Sequence, residues 1–174
     1  MKRSLCVVEL GAGTGLLALT LARQGHQVVA TDIAPVMPLL ADNINRNASI
    51  LPGAVPQCLE LDWTSPDLPA FPVDLIMTSD TIYAEHLLQP LLRVLRHFVQ
   101  CSSPNTTVLL GLERRDPQTV DQFFKLAKED GWSADRLDPL TVHRCGGLLG
   151  WHEDDYDGVE LWELSRARQE QALD

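Results

Sequence analysis

At 174 residues the chain amounts to one domain, long enough to bury roughly two-thirds of the surface its unfolded form exposes. Apolar residues make up 45% and charged ones 22%, the balance of a soluble globular protein. The formal net charge of −10 argues against a partner with a phosphate backbone or an anionic membrane surface, and the only basic cluster, Arg93, Arg96 and His97, is explained equally well as a helix surface.

The first two-thirds of the chain alternates strand and helix signals. CVVEL (6–10) is a short β-rich run that ends at a glycine-rich turn. The segment from Thr14 to Gln24 reads as a helix, with Gly25 placed to end it in a left-handed cap. HQVVATD (26–32) is a second strand closed by Asp32, and PVMPLLADNINRN (35–47) fits a helix with proline near its start. VPQCLELDW (55–63) and VDLIMTSD (73–80) are the third and fourth strands, the fourth apolar at its centre as a strand covered on both faces should be. HLLQPLLRVLRHFV (86–99) carries leucines at helical spacing, with Pro90 expected in its first turn or at a slightly later start of the helix. TTVLLGLE (106–113) is a fifth strand and PQTVDQFFKLAKEDG (117–131) a helix stopped by Gly131.

The end of the chain departs from that alternation. WSADRLDPLTV (132–142) and GVELWELS (158–165) are two strand candidates with no helix between them, which implies an antiparallel pair. Alternating βα units closed by such a pair give an α/β, doubly wound sheet of about seven strands. The expected domain covers residues 1–165, followed by a polar tail, 166–174. Cys6, Cys58, Cys101 and Cys145 lie far apart and form no CxxC. Cys6 and Cys58 fall in apolar strand-like runs, where free cysteine acts as a small hydrophobe, so a reducing compartment, cytoplasmic or also nuclear, is expected. No apolar run approaches the ~20 residues of a membrane span, and residues 1–10 lack the apolar stretch of a signal peptide.

In VVELGAGTG (7–15) three glycines alternate and one acid, Glu9, precedes them. A P-loop requires GxxxxGK[ST], whereas Leu16 and Leu17 follow here; the dinucleotide fingerprint requires GxGxxG, whereas the spacing is GxGxG. A carboxylate two residues ahead of the turn sits badly beside a pyrophosphate and suits a ligand end that carries positive charge. S-adenosylmethionine has an ammonium and a sulfonium and no phosphate. Asp32 is placed to accept hydrogen bonds from ribose hydroxyls, a feature shared with NAD sites. Asp62, near the end of the third strand, is placed for the adenine amino group and Trp63 for its ring face. Taken singly, each acid also reads as a solvated strand terminus or helix cap.

These residues, with ATD at 30–32, LDW at 61–63 and SDTIY at 79–83, resemble the class I methyltransferases and, more narrowly, methyltransferase family 16. Characterised members of that family are mostly non-histone protein-lysine methyltransferases. The similarity runs from about Val7 to the final strand, and the acid-x-x-aromatic at Asp80–Tyr83 is what points to the family. The NPPY or DPPY motif of base and glutamine methyltransferases is missing there. The resemblance implies a Rossmann-like sheet in the order 3-2-1-4-5-7-6, the seventh strand antiparallel, with helices on both faces. It implies cofactor contacts from Glu9, Gly11, Gly13, Asp32, Asp62, Trp63 and Ser79, and a protein substrate bearing a target lysine. Family members carry a segment ahead of the first strand that helps cover the cofactor; only residues 1–4 stand there, so a shortened chain or a different closing element is expected.

Methyl transfer to an amine is an in-line displacement that requires the amine without its proton, whereas lysine is ordinarily protonated up to a pKa near ~10.4. A nearby carboxylate favours the ammonium, so Asp80 is expected to recruit and orient the side chain rather than to act as a strong base. Tyr83 is expected to wall the channel. The alternatives are an N-cap role for Asp80 on the next helix and simple packing for Tyr83. Glu113-Arg114-Arg115, on the same edge of the sheet, reads as a solvated loop, with contact to substrate as the alternative, and HEDDYD (152–157) as an acidic turn rather than a metal loop; His86, His97 and His143 have no partner at ligand or triad spacing. Two other functions stay open: a small-molecule N-methyltransferase, and a catalytically idle module that keeps the fold for partner assembly.

Overall fold

The computed structural model describes residues 3–65, 67–141, 143–144, 150, 152 and 158–166. Seven strands form one sheet: β1 Cys6–Leu10, β2 Gln27–Asp32, β3 Gln57–Glu60, β4 Leu75–Ser79, β5 Thr107–Glu113, β6 Trp132–Arg136 and β7 Val159–Arg166. Their order is β3-β2-β1-β4-β5-β7-β6; β7 runs antiparallel to both of its neighbours, β5 and β6, and the other pairs are parallel. The helices are α1 Leu16–Arg23, α2 Met37–Asn47, α3 Glu85–Cys101 and α4 Pro117–Glu129.

Strand periodicity sends alternate residues to opposite faces, and both faces are covered. Val8, Leu10, Ile76, Val108 and Leu110 pack with Leu88, Leu91, Leu95 and Phe98 of α3 and with Val120 and Phe123 of α4. On the other face Val7, Val28 and Ala30 meet Ala18, Leu21 and Ala22 of α1 and Leu40 and Ile44 of α2. Because β1 to β5 are parallel, the glycine turn, Asp32, the segment after β3, Asp80 and Glu113 all emerge at one edge of the sheet.

Several boundaries differ from the sequence reading. β3 stops at Glu60: the Leu61 N–H still donates to the Asp32 carbonyl at 2.8 Å, but Asp62, Trp63 and Thr64 lie beyond the strand. α3 begins at Glu85, so Pro90 falls in its second turn, with no N–H to give the His86 carbonyl. β6 is only five residues long. Arg166, expected in the tail, ends β7, and its Nε donates to the Asp130 carbonyl at 3.0 Å. Cys6 is exposed at the first position of β1, so it is not the buried hydrophobe expected; Cys6, Cys58 and Cys101 are free thiols. Cys145, residues 153–157 of the acidic segment and residues 167–174 lie outside the described residues.

Candidate functional site: the cleft at the carboxyl ends of the strands

Gly11, Gly13 and Gly15 all adopt positive φ (70°, 54° and 81°), which glycine takes without the Cβ penalty other residues meet. Two of them are close-approach positions. A Cβ on Gly11 would lie 2.9 Å from Thr81 Cγ2 and 3.4 Å from Trp63 Cζ2, and one on Gly15 would lie 2.8 Å from Leu40 Cδ1. Gly13 differs: a Cβ there would meet nothing within 4 Å. The turn is thus pinned at both ends and opens onto free space at its middle.

Three acids surround the turn. Asp32 Oδ2 accepts the Gly13 N–H at 2.7 Å while Oδ1 accepts the Ile33 N–H at 2.8 Å, so the carboxylate is oriented by backbone. Each oxygen retains a second lone pair. Asp62 sits in a turn of its own, with Oδ1 accepting both the N–H and the hydroxyl of Thr64 at 2.8 and 2.7 Å. These bonds favour its ionised form and lower its pKa. Glu9 is only 3% exposed. Burial, reinforced by the charge of Asp32 and opposed by the Ala18 N–H, raises its pKa from 4.5 to about 7. Its Oε2 is buried with no hydrogen-bond partner.

A cleft of about 580 Å³ runs along this edge, lined among others by Gly11, Asp32, Asp62, Trp63, Ser79, Asp80 and Tyr83. Seven of the nine residues singled out from sequence thus line one cavity. Glu9 and Gly13 are not in its wall and reach it through Asp32, which Gly13 holds and Glu9 repels. Trp63 is 8% exposed and largely a floor under Gly11. Its carbonyl and that of Ser65 accept from Arg93, so one arginine of the basic cluster fixes the loop bearing Asp62. Arg96 pairs with Asp130, and His97 Nε2 lies 2.9 Å from the Pro69 carbonyl.

Asp80 is not a helix cap. The N-cap of α3 is Ala84, in an extended conformation and without a side-chain bond. Asp80 instead takes φ +54°, alone among non-glycines in the described residues, and its N–H donates to the Gly111 carbonyl at 2.9 Å. The carboxylate then turns toward the end of β5: Oδ1 accepts the Glu113 N–H at 3.3 Å and Oδ2 accepts from Arg115 at 3.1 Å. Arg115 Nε also donates to Glu113 Oε2 at 2.9 Å. Arg114 points elsewhere, to Glu160 at 3.0 Å and Asp121 at 2.7 Å, with its guanidinium 5.9 Å from the Phe124 ring centroid. The Glu113-Arg114-Arg115 segment is solvated at Glu113 and Arg115, as expected, but its two arginines are paired with four carboxylates, Asp80, Glu113, Asp121 and Glu160.

Tyr83 is 66% exposed at the cleft and does not pack under the sheet. Sequence reasoning missed Thr81, buried beneath Gly11 with its hydroxyl 2.5 Å from that of Thr78. It also missed Ile33 and His86 in the cleft wall. Ile33 had a readable signal, an apolar residue directly after the acid that ends β2; His86 had none.

The lysine methyltransferase family model matches residues 1–130, three-quarters of the chain. Among curated relatives, mouse EEF1A lysine methyltransferase 3 is 33% identical over 68% of this chain and 50% of its own length. Mouse protein N-lysine methyltransferase METTL21A is 38% identical over 79% of this chain and 62% of its own. The chain thus spans about half to three-fifths of the length of these relatives. A TehB-like SAM-dependent methyltransferase from Corynebacterium glutamicum shares the fold, with TM-score 0.67, 14% identity, and coverage of 96% of this chain and 83% of that one. The chain belongs to the lysine methyltransferase family.

Proposed function

We propose that this member of the lysine methyltransferase family transfers a methyl group from S-adenosylmethionine to lysine side chains of a non-histone protein. The observation that carries the reading is the arrangement at one sheet edge: backbone-held carboxylates at Asp32 and Asp62, and beside them Asp80 and Tyr83 in the same cleft. The printed names of the relatives, which act on protein lysines, support the substrate class.

The donor set fits the cofactor. Asp32 offers two oriented acceptors for a pair of ribose hydroxyls, and Asp62 offers an acceptor whose Oδ2 is not used by Thr64. The unpartnered Glu9 Oε2 and the open space over Gly13 suit a ligand end rich in N–H and positive charge. Ser79 and Trp63 complete the wall. When bound, S-adenosylmethionine supplies an electrophilic methyl: the amine lone pair forms the N–C bond as the S–C bond breaks, the sulfonium becomes a neutral thioether, and the charge passes to nitrogen.

The protein's own part is to hold and align. Asp80 accepts hydrogen bonds from the incoming amine and fixes its direction, while Tyr83 offers a ring face and a hydroxyl at the mouth of the cleft. A lysine must shed one proton to solvent before its nitrogen can attack, and removal of water as the substrate fills the cleft favours that loss. The free thiols at Cys6, Cys58 and Cys101 suit a reducing compartment, the cytoplasm or nucleus. The test is incubation with radiolabelled S-adenosylmethionine and lysate proteins. Label on lysine of a polypeptide is expected; label confined to the low-mass fraction, or none with a folded protein, would overturn the reading.

A further inference from the structure

The lysine reading leaves a difficulty, because a carboxylate that recruits an ammonium also tightens its hold on the proton that must leave. Asp80 is not a bare carboxylate, however. Arg115 is clamped at two points, by Nε to Glu113 at 2.9 Å and by its terminal nitrogen to Asp80 at 3.1 Å. It occupies Oδ2 of Asp80 while the Glu113 N–H occupies Oδ1, and each oxygen keeps a second lone pair for an amine. The pair therefore need not break for Asp80 to orient substrate.

We infer that Arg115 is a positioning residue that offsets the charge of Asp80, so that the carboxylate aligns the substrate lysine without keeping it protonated. This rests on the lysine-methylation reading of the cleft. A guanidinium suits the task because it stays charged at every working pH, where a histidine would itself titrate, and its separate nitrogens reach Glu113 and Asp80 together. The titratable and charged groups around Asp80 are Glu113 at the end of β5 and Arg115 just after it, with Tyr83, His86, Asp32 and Asp62 lining the same cleft and Glu85 preceding His86 in the first turn of α3. Arg114 is committed to Glu160 and Asp121. With Arg115 in place, Asp80 and Glu113 present one net negative charge; without it they present two.

The consequence is a specific split in the kinetics. R115Q should lower KM for the protein acceptor several-fold, because the ammonium binds more tightly. It should also shift the midpoint of the kcat–pH profile upward by about one unit, a loss near tenfold at pH 7.5 that recovers by pH 10. R115K, which keeps a charge, should restore most of the wild-type midpoint.

The experiment measures labelled methyl incorporation into lysate proteins from pH 6 to 10 for wild type, R115Q, R115K, D80N and D80N/R115Q, each checked for an unchanged thermal melt. A shifted midpoint in R115Q that vanishes in the D80N background supports the inference. An unmoved midpoint, or an equal shift with and without Asp80, overturns it while leaving lysine methylation intact. A wild-type protein that labels no polypeptide at any pH overturns both, and that outcome is separate because it is read without any variant.

Discussion

The acids at the two halves of the sheet edge are held in opposite ways. Where β1, β2 and β3 end, Glu9, Asp32 and Asp62 take their hydrogen bonds from neutral donors: the N–H groups of Ala18, Gly13, Ile33 and Thr64 and the Thr64 hydroxyl. Among the described residues no ion pair engages any of the three. Around the ends of β4 and β5 and the start of β7, Asp80, Glu113, Asp121 of α4 and Glu160 are all paired with Arg114, Arg115 or Arg136. Backbone donors orient a carboxylate without cancelling its charge, and arginines do both. On the proposed function, the first half would meet a ligand that brings hydroxyls and positive charge, and the second one whose charge has to be managed.

Removing a carboxylate from each half should break different properties. Asp32→Ala should abolish binding of S-adenosylhomocysteine, a loss above 100-fold by calorimetry, since it deletes two ribose acceptors and leaves the Gly13 N–H unpaired. Asp80→Asn should leave that affinity within twofold yet cut methyl transfer about 100-fold, the scale of a misplaced reactant. Equal effects of both variants on cofactor affinity would mean that the two halves do not divide the work.

Glu9 offers a sharper cut, through pH. Its carboxyl is raised from 4.5 to about 7, chiefly by burial, so the folded state holds a proton that the unfolded state releases. The stability this contributes is complete below about pH 4.5 and is lost as pH rises through about 7. Glu9→Gln should therefore be more stable than wild type at pH 8 by about 2 kcal/mol, below the ~3 kcal/mol ceiling set by the shift, and indistinguishable near pH 4.5. Urea unfolding at the two pH values measures the difference; a constant offset would place the cause elsewhere. In the wild type, cofactor affinity should weaken below pH 7, because binding a cationic ligand requires the ionised form.

The smallest effect belongs to the paired half. Arg114→Gln should cost about 1 kcal/mol, because Glu160, 7% exposed, keeps Arg136 and the Trp162 indole N–H as partners. Arg115→Gln should leave the melt unchanged, its side chain being 70% exposed.

Much of this was legible in the chain itself. The alternation of β and α signals, the glycine stops at Gly25 and Gly131 and the antiparallel final pair are local patterns, and local patterns survive folding. The order of the strands came from family resemblance, since periodicity says nothing about which strand lies beside which. The cleft acids were found because strand-end positions can be counted from the sequence. What stayed hidden depends on contacts between distant residues or on turn geometry. Arg115 meets Asp80 across 35 positions. Asp80 escapes the helix cap because its backbone turns left-handed four residues before the cap at Ala84. Asp62 leaves β3 because its side chain bonds to Thr64 instead of continuing the strand. No hydrophobic pattern signals any of these.

Titration of the wild-type protein with S-adenosylmethionine and, separately, with NAD tests most directly whether uncompensated carboxylates at these strand ends hold a positively charged adenosyl ligand. The expected result is saturable heat with S-adenosylmethionine at an affinity at least 100-fold above that for NAD. Equal affinity for the two, or no heat with S-adenosylmethionine from a folded protein, would contradict it.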